Sequence, residues 1–404
     1  MRRGPRWQLG LGRENGLAFW AVLLMEASFA SYMLLWPLFI AQLGASPAQV
    51  GLIVGTHGLL RLVFLVPSGY LVDRFAPVPL IVVSRTVGVA GLVAAAVTPA
   101  WWLLPLPLLI MGVGNIAFPA ISAIIAGAAG ERDRARAFTL VYTVGPAVAT
   151  VVAPLLGGQL ADLVSLRAAL LLGAGFSAAS IVVYSRLRAR RPSGDDAAPP
   201  SYREALAAGP VRTLCLLQLV TLLVLTTGTT LAPNYLRQVH GLAFERIGQL
   251  GSISALGSIL LGLAFARLRP FKQPLAGITA ATAGTGLAFA VLALGESLPV
   301  FMLAFLLRGG YMVAWSLYAA ALGNVAPPRL HGRAFALSEI AGGTGFALAP
   351  FLAGPLYSWQ PAAPLLVACA CSLPLAAVLG LAALRERRAA REEIVEPALV
   401  ESTA

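Results

Sequence analysis

Residues 185–210 read SRLRARRPSGDDAAPPSYREALAAGP, the only polar stretch of any length inside a chain of 404 residues. Its arginines, the Pro-Ser-Gly-Asp-Asp run and the Pro-Pro pair cannot continue a helix through an apolar medium. On either side the composition inverts. With 58% apolar residues, 11% charged residues and a mean hydropathy of +0.81, the chain cannot clothe a water-soluble surface. Working outward, the polar segment separates two sets of six apolar spans, at 17–40, 50–71, 78–98, 101–128, 136–160 and 166–184 before it and at 211–236, 246–266, 274–295, 298–321, 333–357 and 361–384 after it. A spanning helix needs about 20 mainly apolar residues. The expected fold is an all-α membrane protein of twelve transmembrane helices in two pseudo-symmetric six-helix bundles. The bundles occupy 1–184 and 211–384, with a cytoplasmic linker at 185–210 and a cytoplasmic tail at 385–404.

The two halves repeat. Gly44/Gly241, Gly51/Gly248, Arg136/Arg333, Ala137/Ala334, Phe138/Phe335, Gly145/Gly342 and Gly157/Gly354 are each separated by 197 residues. Self-similarity at one fixed offset marks an internal duplication. Duplicated six-helix halves are a transporter architecture, with the substrate site near the midplane.

A net charge of +12 would suggest nucleic acid in a soluble chain, but the basic residues follow the spans. Of the 29 Lys and Arg residues, 23 lie in the termini and alternate loops, such as Arg74, Arg186, Arg267 and Arg329, while the opposite loops hold Arg167, Arg237 and Arg246. This asymmetry places both termini in the cytoplasm, and the expected location is a bacterial inner membrane. Nucleic acid is excluded as a partner. The only lysine, Lys272, precedes Gln273, so no phosphate-binding loop of the form G-x-x-x-x-G-K-[ST] exists. Cys215, Cys369 and Cys371 sit in apolar spans, and His57, His240 and His331 match no ligand spacing. No metal or cofactor is expected, and no enzyme.

After the second span the chain reads Gly69-Tyr-Leu71-Val-Asp73-Arg74-Phe-Ala76-Pro77-Val78, which resembles the major facilitator superfamily signature G-x-L-x-D-R-x-G-R/K-R/K. Gly69, Leu71, Asp73 and Arg74 fit; Ala76, Pro77 and Val78 replace the second glycine and the basic pair. The resemblance implies a gating role for Gly69, Asp73 and Arg74, with Asp73 near the positive N-terminal end of the eleventh helix. In the fifth span, Ala149-x-x-x-Ala153-Pro154-Leu-Leu-Gly157-Gly158 resembles the family's exporter-associated G-x-x-x-G-P-x-x-G-G, with both early glycines replaced by alanine. Small residues four apart let helix backbones approach closely, and a proline bends the span.

Charged residues inside spans cost roughly 2.5–3.5 kcal/mol unless paired or wet. Glu26 and Arg61 fall at similar depth on the first two spans, which makes Glu26 a candidate proton carrier with Arg61 as its partner, or a member of a static ion pair. His57 lies four residues from Arg61 on one face. Arg85 is near enough to its helix start to snorkel, and Glu339 is near enough to Arg333 to be structural. In the tenth span Arg308, Tyr311, Trp315 and Tyr318 recur at helical spacing and form one stripe. The resemblance implies that the first, fourth, seventh and tenth helices line a central cavity. A cation among aromatic faces suits a planar or amphipathic substrate. Asn115 with Pro119 and Ser122 in the fourth span, and Gln218 with Thr221 in the seventh, offer further polar contacts.

The expected function is secondary active transport by alternating access, exporting small amphipathic compounds against protons, by a monomer in the lipid bilayer. Uptake of an anionic metabolite through Arg61, His57 and Arg308 is the competing transport reading, and a non-transporting scaffold or sensor is the other class.

Overall fold

The computed structural model describes residues 6–9, 11–117, 120–121, 124, 139–188, 202–268, 271 and 273–402, with the side chains at 6, 66, 67, 69, 72, 73, 328 and 387–402 outside the description. Among the described residues the chain is helical, with no strand. Ten helices among the described residues are long and apolar enough to cross a membrane. An eleventh crossing arises if Gly12–Tyr32 and Trp36–Gln42, which meet at 43°, form one bent span. The expected fourth span is described without a gap only at its start, where Trp101–Ile116 is apolar helix. Most of the rest of that expected span, the basic cluster at 132–136 and most of the linker lie outside the described residues, so ten or eleven of the twelve expected crossings are described.

Several spans are broken where the sequence weakens the helical ladder. The tenth runs as Leu298–Arg308 and Gly310–Val325, with an irregular turn of helical dihedrals at Gly309 inside one continuous span. The fifth begins as a π-helical turn, Leu140–Val144, and continues as Gly145–Leu163 with Pro154 inside it. The eleventh, His331–Trp359, carries Pro350 and Pro355. A proline removes a helix hydrogen bond, and in a membrane the neighbouring helices compensate for it.

The chain divides into two compact units. One comprises Met1–Ala198, Thr230–Leu256 and Phe346–Pro364. Its interior includes a cluster of Phe19, Val22, Met25, Ile81, Ile121 and Tyr184, where the first, third, fourth and sixth spans meet. The other comprises Pro199–Thr229, Gly257–Gly345 and Leu365–Ala404. Its core joins Val211, Leu214, Ile278, Tyr318, Leu322 and Leu379.

Within the first unit, two glycine crossings tie the sequence halves together. A Cβ on Gly51 would strike the Pro350 carbonyl oxygen and come within 2.9 Å of Gly354 Cα. A Cβ on Gly248 would strike the Pro154 carbonyl oxygen and come within 2.9 Å of Gly158 Cα. The second span thus packs on the eleventh as the eighth packs on the fifth, backbone against backbone. The small-residue face expected of the fifth span serves two neighbours, because a Cβ on Gly157 would collide with the Ser31 carbonyl of the first. Ala149 and Ala153 pack against Ala27.

Candidate substrate, coupling and gating sites

The helices that start at the two glycine crossings are capped differently. Ser46 accepts from the Gln49 backbone N–H at 3.4 Å, and the Gln49 side chain accepts from the Ser46 N–H at 2.8 Å. This capping box satisfies the start of Pro47–Arg74 locally. At the offset of 197, Ser46 corresponds to Ala243, which carries no capping oxygen. Asp162, at the end of the fifth span, supplies it. Its Oδ1 accepts from the Phe244 N–H at 3.1 Å and its Oδ2 from the Glu245 N–H at 2.6 Å. A carboxylate across two orphan amides at a helix N-terminus is favoured by hydrogen bonding and by the helix dipole. Sequence reasoning missed this latch; the missing cap at Ala243 is the signal that could have found it.

Glu26 is half-buried in the first span with Arg61 and Arg85 as its electrostatic neighbours, and among the described residues neither comes within ion-pair distance of it, so the expected Glu26–Arg61 contact is not made in this conformation. Arg61 is exposed, on the second span. Arg85, expected to snorkel, is instead 5% exposed. The bundle interior gives it partners: its Nη2 donates to Ser177 Oγ at 2.9 Å, and its guanidinium lies 5.6 Å from the centre of the Phe29 ring. Its Nε has no hydrogen-bond partner among the described residues. Tyr32, Tyr184 and Glu26 are its electrostatic neighbours. His57 lies edge-on to Trp36 at 6.1 Å.

In the second unit the tenth-span stripe is not one open face. Tyr318 is fully buried and shares a hydrogen bond of 2.7 Å with Thr221. Tyr311 is 9% exposed, and its hydroxyl accepts from Thr226 at 3.2 Å. Both phenols fasten the tenth span to the seventh. Gln218 is fully buried, and its Oε1 accepts from Ser338 at 2.6 Å. Two stripe residues remain open to another role. Arg308 lies 4.6 Å from the Phe305 ring centre, with its buried Nη1 unpartnered among the described residues. Trp315 Nε1 donates to Glu339 Oε1 at 3.2 Å.

Asn115 is 9% exposed in the first unit, and its amide donates to the Gly112 carbonyl at 3.0 Å. Pro119 and Ser122 lie outside the described residues, as do the surroundings of Gly69 and the side chain of Asp73. Arg74, at the end of its helix, donates to the Tyr70 hydroxyl at 2.7 Å. Among the described residues no group of His, Cys, Asp and Glu is arranged to hold a metal.

The model of the Major Facilitator Superfamily matches residues 18–315. The chain belongs to this superfamily. It is 34% identical over 120 residues to the inner membrane transport protein YajR of Escherichia coli (strain K12), an alignment spanning 29% of this chain and 26% of that relative's length. The fold is also that of a variant of the nucleoside transporter NupG, with a TM-score of 0.77 and 15% identity over 91% of this chain and 99% of the other. A bacterial homologue of the lysosomal transporter Spinster, solved inward-facing and unoccupied, matches with a TM-score of 0.72 and 16% identity over 93% and 97% of the two chains. At such identities the likeness is one of fold, and the chain is a multi-pass membrane protein of that fold.

Proposed function

We propose that this chain is a secondary transporter that exports small amphipathic compounds in exchange for protons, by exposing its substrate site alternately to the two faces of a bacterial inner membrane. The carrying observation is Glu26, a carboxylate in the first span with two cations, Arg61 and Arg85, acting on it from different helices. A carboxylate so placed can hold a proton in one conformation and be held ionised by an arginine in the other. Asp162 and the glycine crossings supply the other requirement, tight helix contacts between the sequence halves that are discrete enough to be made and broken. Both termini are cytoplasmic in this reading, and the functional unit is the monomer.

The test is dye transport in proteoliposomes under an imposed pH gradient. Wild-type transport stops when an ionophore collapses the gradient, and Glu26→Gln binds dye but no longer responds to the gradient. Gradient-driven transport by Glu26→Gln equal to the wild type would overturn the role of Glu26. A second reading, uptake of an anionic metabolite, is favoured by the unpartnered Nη1 of Arg308. It predicts that organic anions compete with the dye and that Arg308→Ala abolishes the competition.

A further inference from the structure

We infer that Glu339 and Trp315 form a subsite for the cationic, planar part of the substrate. The inference rests on the transport reading above and names the substrate class, an aromatic organic cation.

Glu339 lies eight residues beyond His331 in the eleventh span, about 12 Å along the helix at ~1.5 Å per residue. It is an exposed carboxylate inside an apolar helix. The sequence expectation that Arg333 neutralises it gives way to a different arrangement. The Arg333 guanidinium lies 4.5 Å from the Tyr202 ring centre, and Arg329 pairs with Glu204 at 2.9 Å. Among the described residues no cation lies within ion-pair distance of Glu339, and its hydrogen-bond partner is the Trp315 indole.

That indole is held from several sides. Its N–H is fixed on Glu339 Oε1, and Tyr311, itself anchored by Thr226, meets it edge-on with ring centres 6.4 Å apart. Gly342 lies beside the ring, a Cβ there falling 3.4 Å from it, and its close neighbours are Gln218 Nε2 and a Leu222 methyl, each 2.9 Å from that Cβ. Gln218 is fully buried, and its Nε2 has no partner among the described residues. The indole therefore sits in a fixed orientation with a carboxylate at its edge. A rigid π-face beside an uncompensated negative charge recognises a flat cation, by stacking and by charge together.

The probes are ethidium and its uncharged phenanthridine analogue, with binding followed by fluorescence on the full-length protein in nanodiscs. Glu339→Gln keeps an oxygen for the indole N–H and should weaken ethidium at least tenfold while leaving the neutral analogue within twofold. Trp315→Leu should weaken both, and Trp315→Phe should restore most of the affinity. Glu339→Asp, which keeps the charge, serves if the glutamine variant melts early. Equal effects of Glu339→Gln on both probes, unchanged ethidium affinity, or no ethidium binding by the wild type would each overturn the subsite. Glu339-dependent binding without gradient-driven transport would uphold the subsite and remove the export reading. Gradient-driven ethidium transport unaffected by Glu339→Gln would do the reverse.

Discussion

Replacing Asp162 by alanine removes the only oxygen acceptors described at the Phe244 and Glu245 amides without altering either helix's sequence at the crossing. The bonds are exposed, so water takes over part of the lost hydrogen bonding. An N-cap of this kind is worth about 0.5–2 kcal/mol, with a few tenths more for a carboxylate on the helix dipole. A loss of about 1–2 kcal/mol is a factor of roughly 5–30 in the opening equilibrium. Hydrogen exchange read peptide by peptide provides the assay. Protection over 244–251 should fall by that factor, while protection over 47–54, capped locally by Ser46, stays within twofold. Asp162→Asn should lie between the two, since one oxygen still accepts while its amide group faces the second N–H. Unchanged exchange at 244–251, or an equal rise at both helix starts, would refute the latch.

The remaining expectations follow from other contacts. Gly158→Ala forces a methyl to 2.7 Å from the Phe244 carbonyl oxygen and 2.9 Å from Gly248 Cα, and overpacking of this kind costs about 1–3 kcal/mol. It should expose the same peptide as Asp162→Ala, and the two changes should combine non-additively because they share one crossing. Ser177→Ala leaves buried Arg85 short of a second partner and should lower the melting temperature, by about 1–3 kcal/mol of stability, without changing substrate selectivity. Tyr318→Phe removes the bond to Thr221 in a buried interface and should destabilise by about 1 kcal/mol with affinity unaltered; a change in substrate affinity alone would return that tyrosine to the binding face. A reporter fused after Ala404 should be active only on the cytoplasmic side.

The all-helical membrane fold is legible in the sequence because membrane crossing is a matter of length and apolarity, and both are local properties. The small-residue face of the fifth span is equally legible, since Gly157 and Gly158 at a proline have few uses other than close packing. The roles of Tyr311 and Tyr318 are not. Helical spacing shows that the stripe residues share an arc, but not whether that arc meets water or another helix, and the threonines that bury both phenols come from the seventh span. Arg85 illustrates the same limit, because its distance from the helix end permits snorkelling while Ser177 and Phe29, far along the chain, hold it inside. Proximity along the chain pairs Glu339 with Arg333, whereas its partner is Trp315, on another helix. Asp162 becomes legible once one asks which residue replaces the Ser46 cap at Ala243.

Substrate-induced proton movement in proteoliposomes tests the central claim most directly. With the purified chain reconstituted at uniform pH and a pH-sensitive dye inside, an outward gradient of ethidium should drive counter-movement of protons in the wild type, and Glu26→Gln should carry ethidium without that signal. Proton movement of equal size in Glu26→Gln, or ethidium flux in the wild type with no proton signal at all, would contradict the account.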